Sequence, residues 1–417
     1  MRKARCSALF VLLTAASAFA KSTPVEWESA ALGRKISGEL LEADMVGKKL
    51  PWPLVVYQKN LSVTRLGGET DDAIITDLMR GGCSVLVLDY GHDPKAVSPT
   101  LNADSLKLRA DLAAKSPTLL PELKGQIDVN RIYLLAEGFR LAHVDFATDG
   151  ERTLGMDIAY PTKPAKPVPL LLEFTCDNVN RMGAASLLFC RDTLVDGGMY
   201  AGFAVAMADH PVAPPYKGLD NPMPEAFFRA KQAVLTAEDF AKDHGLASAI
   251  GVIGFSRGGP FAAMLAANTG EMSVPPGRYC EAPGRIVGPT KVRAALVHGN
   301  RYDYLDLLPK DPMADRFKKS WGDPATQPQN WQLRGAANYL AKDKTNIAPM
   351  FLNTSAAESP EYRDGLAKFH ERLTELGVEH VYQVDDDDRG HRVTTDPKTL
   401  TAIYDFFRKH LTEEPAK

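Results

Sequence analysis

Residues 249–260 read Ala249-Ile250-Gly251-Val252-Ile253-Gly254-Phe255-Ser256-Arg257-Gly258-Gly259-Pro260. An apolar run the length of a buried strand leads into Gly-x-Ser-x-Gly. Pro260 then opens a helical stretch, in a position where a missing N–H costs nothing. A serine between a strand and a helix must occupy a tight, strained turn. The residues two positions either side must be small, and the amide that follows the serine points at the place where an oxyanion would form. Ser256 is therefore the candidate nucleophile, and the Arg257 backbone amide is one candidate oxyanion donor. The competing reading is a serine in a glycine-rich turn that binds a phosphate or nothing; the partners described next count against it.

A serine nucleophile needs a base. Among nine histidines, His391 follows Gly390 near the C-terminus. It comes after the strand-like run His380–Val384 and before a helical stretch over Lys398–Leu411. A loop histidine after the last strand reaches across the top of such a sheet. The acid should leave the preceding strand, and Glu358 is the first carboxylate after the run Ala348–Leu352. The chain order is then serine, acid, histidine. Glu361 and Asp303 are the fallbacks for the acid. The run Asp385–Asp388 either tunes the base or solvates a turn, and a solvated turn is the simpler reading. A second oxyanion amide should come from the loop after the run Leu170–Phe174, where Cys176 is the candidate.

Further out, short apolar runs alternate with amphipathic helical stretches. The strand-like runs are Leu54–Tyr57, Ser84–Leu88, Ile132–Leu135, Leu170–Phe174, Phe203–Met207, Ile250–Ile253, Val292–Val297 and Met350–Leu352. Asp71–Met79, Glu225–Asp243, Pro260–Ala267 and Tyr362–Leu376 read as helices. Uninterrupted apolar strands between helices predict an α/β fold with a doubly wound, mostly parallel sheet. The Pro-rich segment 161–169 reads as a short connection between adjacent strands. Pro53–Gly67 can be laid without gaps on Pro169–Gly183, and each is followed by a strand ending in aspartate, Asp89 or Asp209. The segment Asp128–Arg140 resembles the approach to Ser256 but has no serine. Either residues 24–140 are a reduced, catalytically empty copy of the main unit, or two strand–loop–helix–strand units simply look alike.

The N-terminus has a different character. Arg2, Lys3 and Arg5 precede an apolar stretch, Ala8–Ala16, and Ala18-Phe19-Ala20 offers small residues before Lys21. That is the shape of a secretory signal peptide, with an apolar stretch too short to span a bilayer. The expectation is a secreted or periplasmic protein with no membrane association after cleavage. Of 417 residues, 49 are Lys or Arg and 52 are Asp or Glu. Removing residues 1–20 takes three basic residues and no acid, so the mature chain stays acidic. No strong basic patch exists, which argues against nucleic acid as a partner. Five cysteines become four on cleavage, Cys83, Cys176, Cys190 and Cys280. A Cys176–Cys190 bridge and buried thiols are both open readings. No paired Cys-x-x-Cys and no His-Glu-x-x-His occurs, so neither a metal nor a cofactor is expected.

With these residues in place, the segment from about 144 to 412 resembles the α/β-hydrolase superfamily. It is closest to secreted dienelactone-hydrolase-like and acetyl-xylan- or feruloyl-esterase-like serine esterases. Gly254–Gly258 and Gly390-His391 carry the resemblance, and Phe203–Ala213 is similar to a strand with an Asp-Tyr-Arg-like end in those families. The chain departs from the pattern at Thr175-Cys176, where many relatives have His-Gly, and in offering a glutamate as the acid. The resemblance implies carboxylic ester hydrolysis through a Ser-His-acid acyl-enzyme. It fixes a chemistry and not a substrate. Trp321 and Trp331 fall in the stretch Tyr302–Lys344 between two core strands, where insertions cover the active site. They either stack on sugar or aromatic acyl groups, as substrate-binding residues, or pack in the cap's own core. The substrate expected is a small-molecule or polysaccharide ester. A serine peptidase of the same fold and a catalytically inactive binding protein are the alternatives. The expected organisation is a signal peptide over 1–20, a non-catalytic α/β extension over 21–140 and a catalytic domain over 141–417.

Overall fold

The computed structural model describes residues 19–43, 51–61, 65–114, 117–121, 125–148, 153–174, 194–211, 223–274, 284–307 and 310–412. The first part of the chain forms β1 (Phe19–Ser29), β2 (Arg34–Ala43), β3 (Trp52–Lys59), α1 (Asp71–Arg80), β4 (Ser84–Asp89), α2 (Ser98–Leu112) and β5 (Ile127–Ala136). These strands make a five-stranded sheet in the order β1-β2-β4-β3-β5. Its central strands are the apolar runs seen in the sequence: Leu54, Val55, Val56 and Tyr57 of β3 are fully buried. Asp71 and Asp72 open α1 and Arg80 closes it, each sign on the end of the helix dipole that favours it.

A second sheet follows at once. Its elements are β6 (Phe139–Thr148), β7 (Thr153–Pro161), β8 (Leu170–Phe174), α3 (Asp196–Tyr200), β9 (Ala204–Ala208), α4 (Glu225–Asp243), β10 (Ile250–Gly254) and α5 (Gly259–Ala267). After a small hairpin, β11 (Met272–Ser273) and β12 (Ile286–Val287), come β13 (Val292–His298), α6 (Ala314–Trp321), α7 (Pro328–Gln332), β14 (Met350–Ser355), α8 (Pro360–Glu375), β15 (His380–Asp385) and α9 (Pro397–Thr412). The order is β15-β14-β13-β10-β8-β9-β7-β6. The run from β15 to β9 is parallel, β7 pairs antiparallel with β9, and β6 pairs antiparallel with β7. The change of sheet falls at Glu137-Gly138, so Phe139 and Arg140 belong to the second sheet rather than to the extension expected to end at 140. The Pro161–Pro169 connection also differs from expectation. It joins β7 to β8, which are not neighbours, because β9 lies between them.

The two sheets share a pattern. From its β6 edge, the second reads β6-β7-β9-β8-β10, which is the order β1-β2-β4-β3-β5 repeated. The strand senses repeat too: antiparallel, antiparallel, parallel, parallel. Even the register agrees. Leu54 pairs with Ser84 and Ile132, as Leu170 pairs with Ala204 and Ile250. Counted from those pairs, Asp89 stands where Asp209 stands and Gly138 where Ser256 stands. The sequence match beyond Phe174 lies outside the described residues.

Alternate residues of the large sheet serve two cores. Leu170, Leu172 and Phe174 of β8 belong to the cluster built with α4, α5 and, further along the sheet, α8. Leu171, with Val205, Ile253, Leu296 and Phe351, belongs to a cluster that includes α9 and the five-stranded sheet. Both faces of the parallel strands are thus covered, as their apolar character requires. Polar groups reinforce the junction. Arg109 of α2 pairs with Asp196 of α3 at 2.5 Å, and both side chains are nearly inaccessible. Tyr200 donates to Gln58 of β3 at 2.5 Å.

Candidate active site

Strand β10 lies between β8 and β13, and its end delivers Ser256 to the carboxyl edge of the sheet. Ser256 has φ +51°, in the left-handed region that L-residues rarely adopt. The turn Ser256–Gly258 then leads into α5, with Pro260 in its first turn. The need for glycine at 254 is visible in the turn itself. A Cβ there would lie 2.4 Å from the Gly258 carbonyl oxygen and 2.8 Å from the Ala262 Cβ. The elbow folds back on its own backbone, and that contact, more than any neighbouring strand, excludes a side chain.

His391 is brought to this serine from the far side of the sheet. Its Nε2 lies 3.0 Å from Ser256 Oγ and its Nδ1 lies 2.7 Å from Glu358 Oε2. With Nδ1–H donating to the carboxylate, Nε2 is left as the acceptor for the serine hydroxyl. Glu358 leaves the end of β14, its side chain almost wholly buried, and its other oxygen accepts the Ser359 N–H at 2.8 Å. The imidazole contacts two rings, Phe255 at 4.8 Å and Tyr362 at 4.7 Å between centroids. The fallback acids are engaged elsewhere. Asp303 accepts the Leu305 N–H at 2.9 Å in its own turn, and the Glu361 carboxylate lies 3.9 Å from Arg301.

The four aspartates divide. Asp386 and Asp388 are exposed, while Asp385 and Asp387 both pair with Arg389. Burial pushes the Asp385 carboxyl up, but donors from Asn353, Gln383 and Arg389 outweigh it and hold the group below the usual range. Arg389 also donates to Asn353 of β14 at 2.9 Å. The run thus ties the histidine loop to the sheet, and Gly390, at φ +59°, turns the chain into His391. Beneath the site lies His298, at the end of β13 and edge-on to Phe255 at 5.6 Å. Burial, with the charges of Arg389 and His391, pushes its imidazole down to about 3.

Trp321 and Trp331 do not face a groove. They are 6% and 2% exposed. Trp321 stacks on Phe317 at 4.5 Å, lies under Arg334 at 4.4 Å, and meets Trp331 edge-on at 5.3 Å. The Trp331 indole N–H is satisfied by the Gly322 carbonyl at 3.1 Å. Of the two readings, packing in the cap's own core is the one the structure supports, and a substrate-stacking role is corrected. Arg257 is exposed, directly after the serine. Cys176, Cys190 and Cys280 lie outside the described residues, and Cys83, just before β4, is half-buried. Sequence reasoning did not find Tyr362, Arg389 or Asn300. Arg389 stands next to Gly390-His391 and could have been noticed there; Tyr362 and Asn300 carry no local signal.

This arrangement is the α/β-hydrolase fold: a mostly parallel, doubly covered sheet with a serine elbow after a central strand. A truncated carbohydrate esterase from gut microbiota superposes with TM-score 0.50 at 17% identity, over 67% of this chain and 99% of that one. An esterase from the Planctomycetes species Thermogutta terrifontis, with propionate bound, gives TM-score 0.47 at 16% identity, over 67% and 97%. The acylaminoacyl peptidase of Pyrococcus horikoshii gives 0.47 at 15% identity over 67% of this chain, and this chain spans less than half of its length, 43%. No protein-family model matches the sequence, and no curated protein matches it.

Proposed function

We propose that the chain is a serine hydrolase that cleaves carboxylic esters through an acyl-enzyme. The observation that carries this reading is the hydrogen-bonded series Ser256, His391, Glu358 on a left-handed elbow. His391 Nε2 takes the hydroxyl proton as Ser256 Oγ bonds to the ester carbonyl carbon. The carbonyl oxygen becomes an oxyanion, for which the Arg257 amide is a donor, with Cys176 proposed for the second. Collapse breaks the bond to the alcohol oxygen, and His391 returns the proton to that oxygen. Water then repeats the sequence on the acyl-enzyme. Glu358 holds the imidazole tautomer and stabilises its cation.

The substrate class is argued from the export signature of residues 1–20. An ester on decorated polysaccharide, or another extracellular ester, fits a secreted or periplasmic enzyme. Cleavage after Ala20 is compatible with the fold, because Lys21–Ser29 keep their pairing with β2. The carbohydrate esterase of similar fold makes sugar esters the first to assay. Residues 21–138 are proposed as a non-catalytic copy of the unit's first half, supported by the repeated strand order and register.

The test is labelling with a fluorophosphonate, followed by a panel of acetyl, feruloyl, methyl-glucuronoyl and long-chain esters and one blocked peptide. Labelling at Ser256 with turnover of at least one ester is expected. Turnover of the peptide alone would replace the esterase with a peptidase, and no labelling would leave a binding protein.

A further inference from the structure

The carbonyl groups on either side of the elbow are both held by buried side chains. Asn300, just past β13, donates from Nδ2 to the carbonyl oxygen of Ser256. Its Oδ1 accepts the Arg301 N–H at 2.7 Å, which fixes which end of the amide faces the serine. On the other flank His210, just past β9, lies 3.3 Å through Nε2 from the Arg257 carbonyl oxygen. Its ring meets Phe261 edge-on at 5.2 Å. Both side chains are buried. The Gly258 N–H closes the turn on Phe255 O at 2.9 Å.

These bonds bear on the chemistry through the geometry of the peptide. Ser256 C=O and Arg257 N–H are the two ends of one planar trans amide, so they point in opposite directions. Fixing the oxygen fixes the line along which the N–H is aimed. The Gly259 N–H also donates to the Ser256 oxygen, and Asn300 adds a side-chain bond to it. The left-handed φ of Ser256 costs about 1–3 kcal/mol, so an elbow that loses part of this bracing has a reason to relax by rotating the amide. A hydrogen bond accepted at the oxygen also polarises the amide, strengthening its N–H as a donor by roughly 10–30%.

We propose that Asn300 is a positioning residue for the hydrolytic reaction, aiming and polarising the Arg257 N–H toward the oxyanion, while His210 clamps the next amide. The inference rests on the serine-hydrolase reading above. Asn300 touches neither the ester nor the proton in flight. Its effect is confined to the state in which the carbonyl oxygen carries charge.

The experiment uses the full chain as wild type, Asn300→Ala and Asn300→Asp. The aspartate keeps the shape and loses the donor, so it serves if the alanine variant folds poorly. The readouts are kcat and KM on an acetyl aryl ester, inhibition by an aryl trifluoromethyl ketone, and the thermal midpoint. Ser256 Oγ adds to that ketone, its proton passes to His391, and the ketone oxygen becomes a standing oxyanion. Removing a whole oxyanion donor costs roughly 10²–10³ in kcat; misaiming one should cost about 10–100-fold. The expected result is that fall in kcat, KM within about twofold, and ketone inhibition weakened by the same factor as kcat. Unchanged kcat, or a fall in kcat with ketone inhibition intact, would overturn the proposal. A wild-type chain that no fluorophosphonate labels would instead overturn the hydrolase reading itself.

Discussion

Gly138 holds in the five-stranded sheet the register position that Ser256 holds in the eight-stranded one, and both have positive φ, +79° and +51°. Beyond Ser256 the chain enters α5; beyond Gly138 it enters β6. The Gly138 N–H is held by the Tyr57 hydroxyl at 2.7 Å. The first sheet thus repeats the bend of the elbow with no nucleophile in it. After that bend the chain goes on to build the second sheet, so the first sheet acquires no counterpart of β13 to β15, the strands whose exit loops deliver Glu358 and His391.

Ser256→Ala should lower turnover by roughly 10⁴–10⁶ while leaving the fold intact, as when such a unit is broken elsewhere. Adding Gly138→Ser to that variant should restore nothing. Steady-state kinetics with circular dichroism checks both, and full residual activity in Ser256→Ala would sink the hydrolase reading.

Glu358→Gln should fold normally and lose roughly 10²–10⁴ in rate, since the imidazole loses its tautomer control and the partner for its cation. Asp303→Asn should be close to wild type, because Asp303 is spent on its own turn. If the asparagine variant is crippled and the glutamine variant is not, the acid has been misassigned.

Gly254→Ala places a Cβ 2.4 Å from a backbone oxygen of the same turn. Backbone cannot swing aside as a flexible side chain can, so a loss of about 1–3 kcal/mol is expected. Urea unfolding measures it. The rate of fluorophosphonate labelling should fall in parallel as the elbow shifts.

The buried Arg109–Asp196 pair joins the two halves. Asp196→Ala leaves a guanidinium without its carboxylate in the interior and should cost about 3–5 kcal/mol. An unchanged urea midpoint would show that the junction does not depend on this pair.

His298 gives a pH signature. Its imidazole sits at about 3 when folded against an ordinary 6.5. The unfolded chain therefore binds this proton first. The histidine costs nothing above the ordinary value and destabilises the fold progressively as pH falls from 6.5 toward 3. The limiting slope is about 1.4 kcal/mol per pH unit. His298→Leu should flatten the stability–pH curve across that window relative to wild type. Parallel curves for the two proteins would contradict it.

The elbow, the parallel strands and the histidine that meets Ser256 were legible in the amino-acid sequence because each rests on a local rule. Apolar runs such as Ile250–Ile253 announce strands buried on both faces, and glycines around a serine announce a turn that admits no Cβ. The antiparallel strands β1, β2, β6 and β7 escaped that reading. Strands β1, β2 and β6 carry residues such as Glu26, Lys35 and Asp145 on faces open to solvent, so no continuous apolar run marks them, and β7, though buried from Leu154 to Pro161, has its apolar run broken by Gly155 and Asp157. The sequence also offered several acids for one role. Glu358 is the first carboxylate after its strand, with Glu361 and Asp303 as fallbacks. Only the path of the loop after β14 puts one carboxylate at 2.7 Å from the imidazole and turns the others toward Arg301 and a local turn. The tryptophans show the same division. Their aromatic character was plain, but whether a ring faces substrate or Phe317 depends on how a cap folds over itself. Local chemistry follows from neighbours in sequence, whereas hydrogen-bond partners tens to hundreds of residues apart are chosen by the packing of the whole sheet.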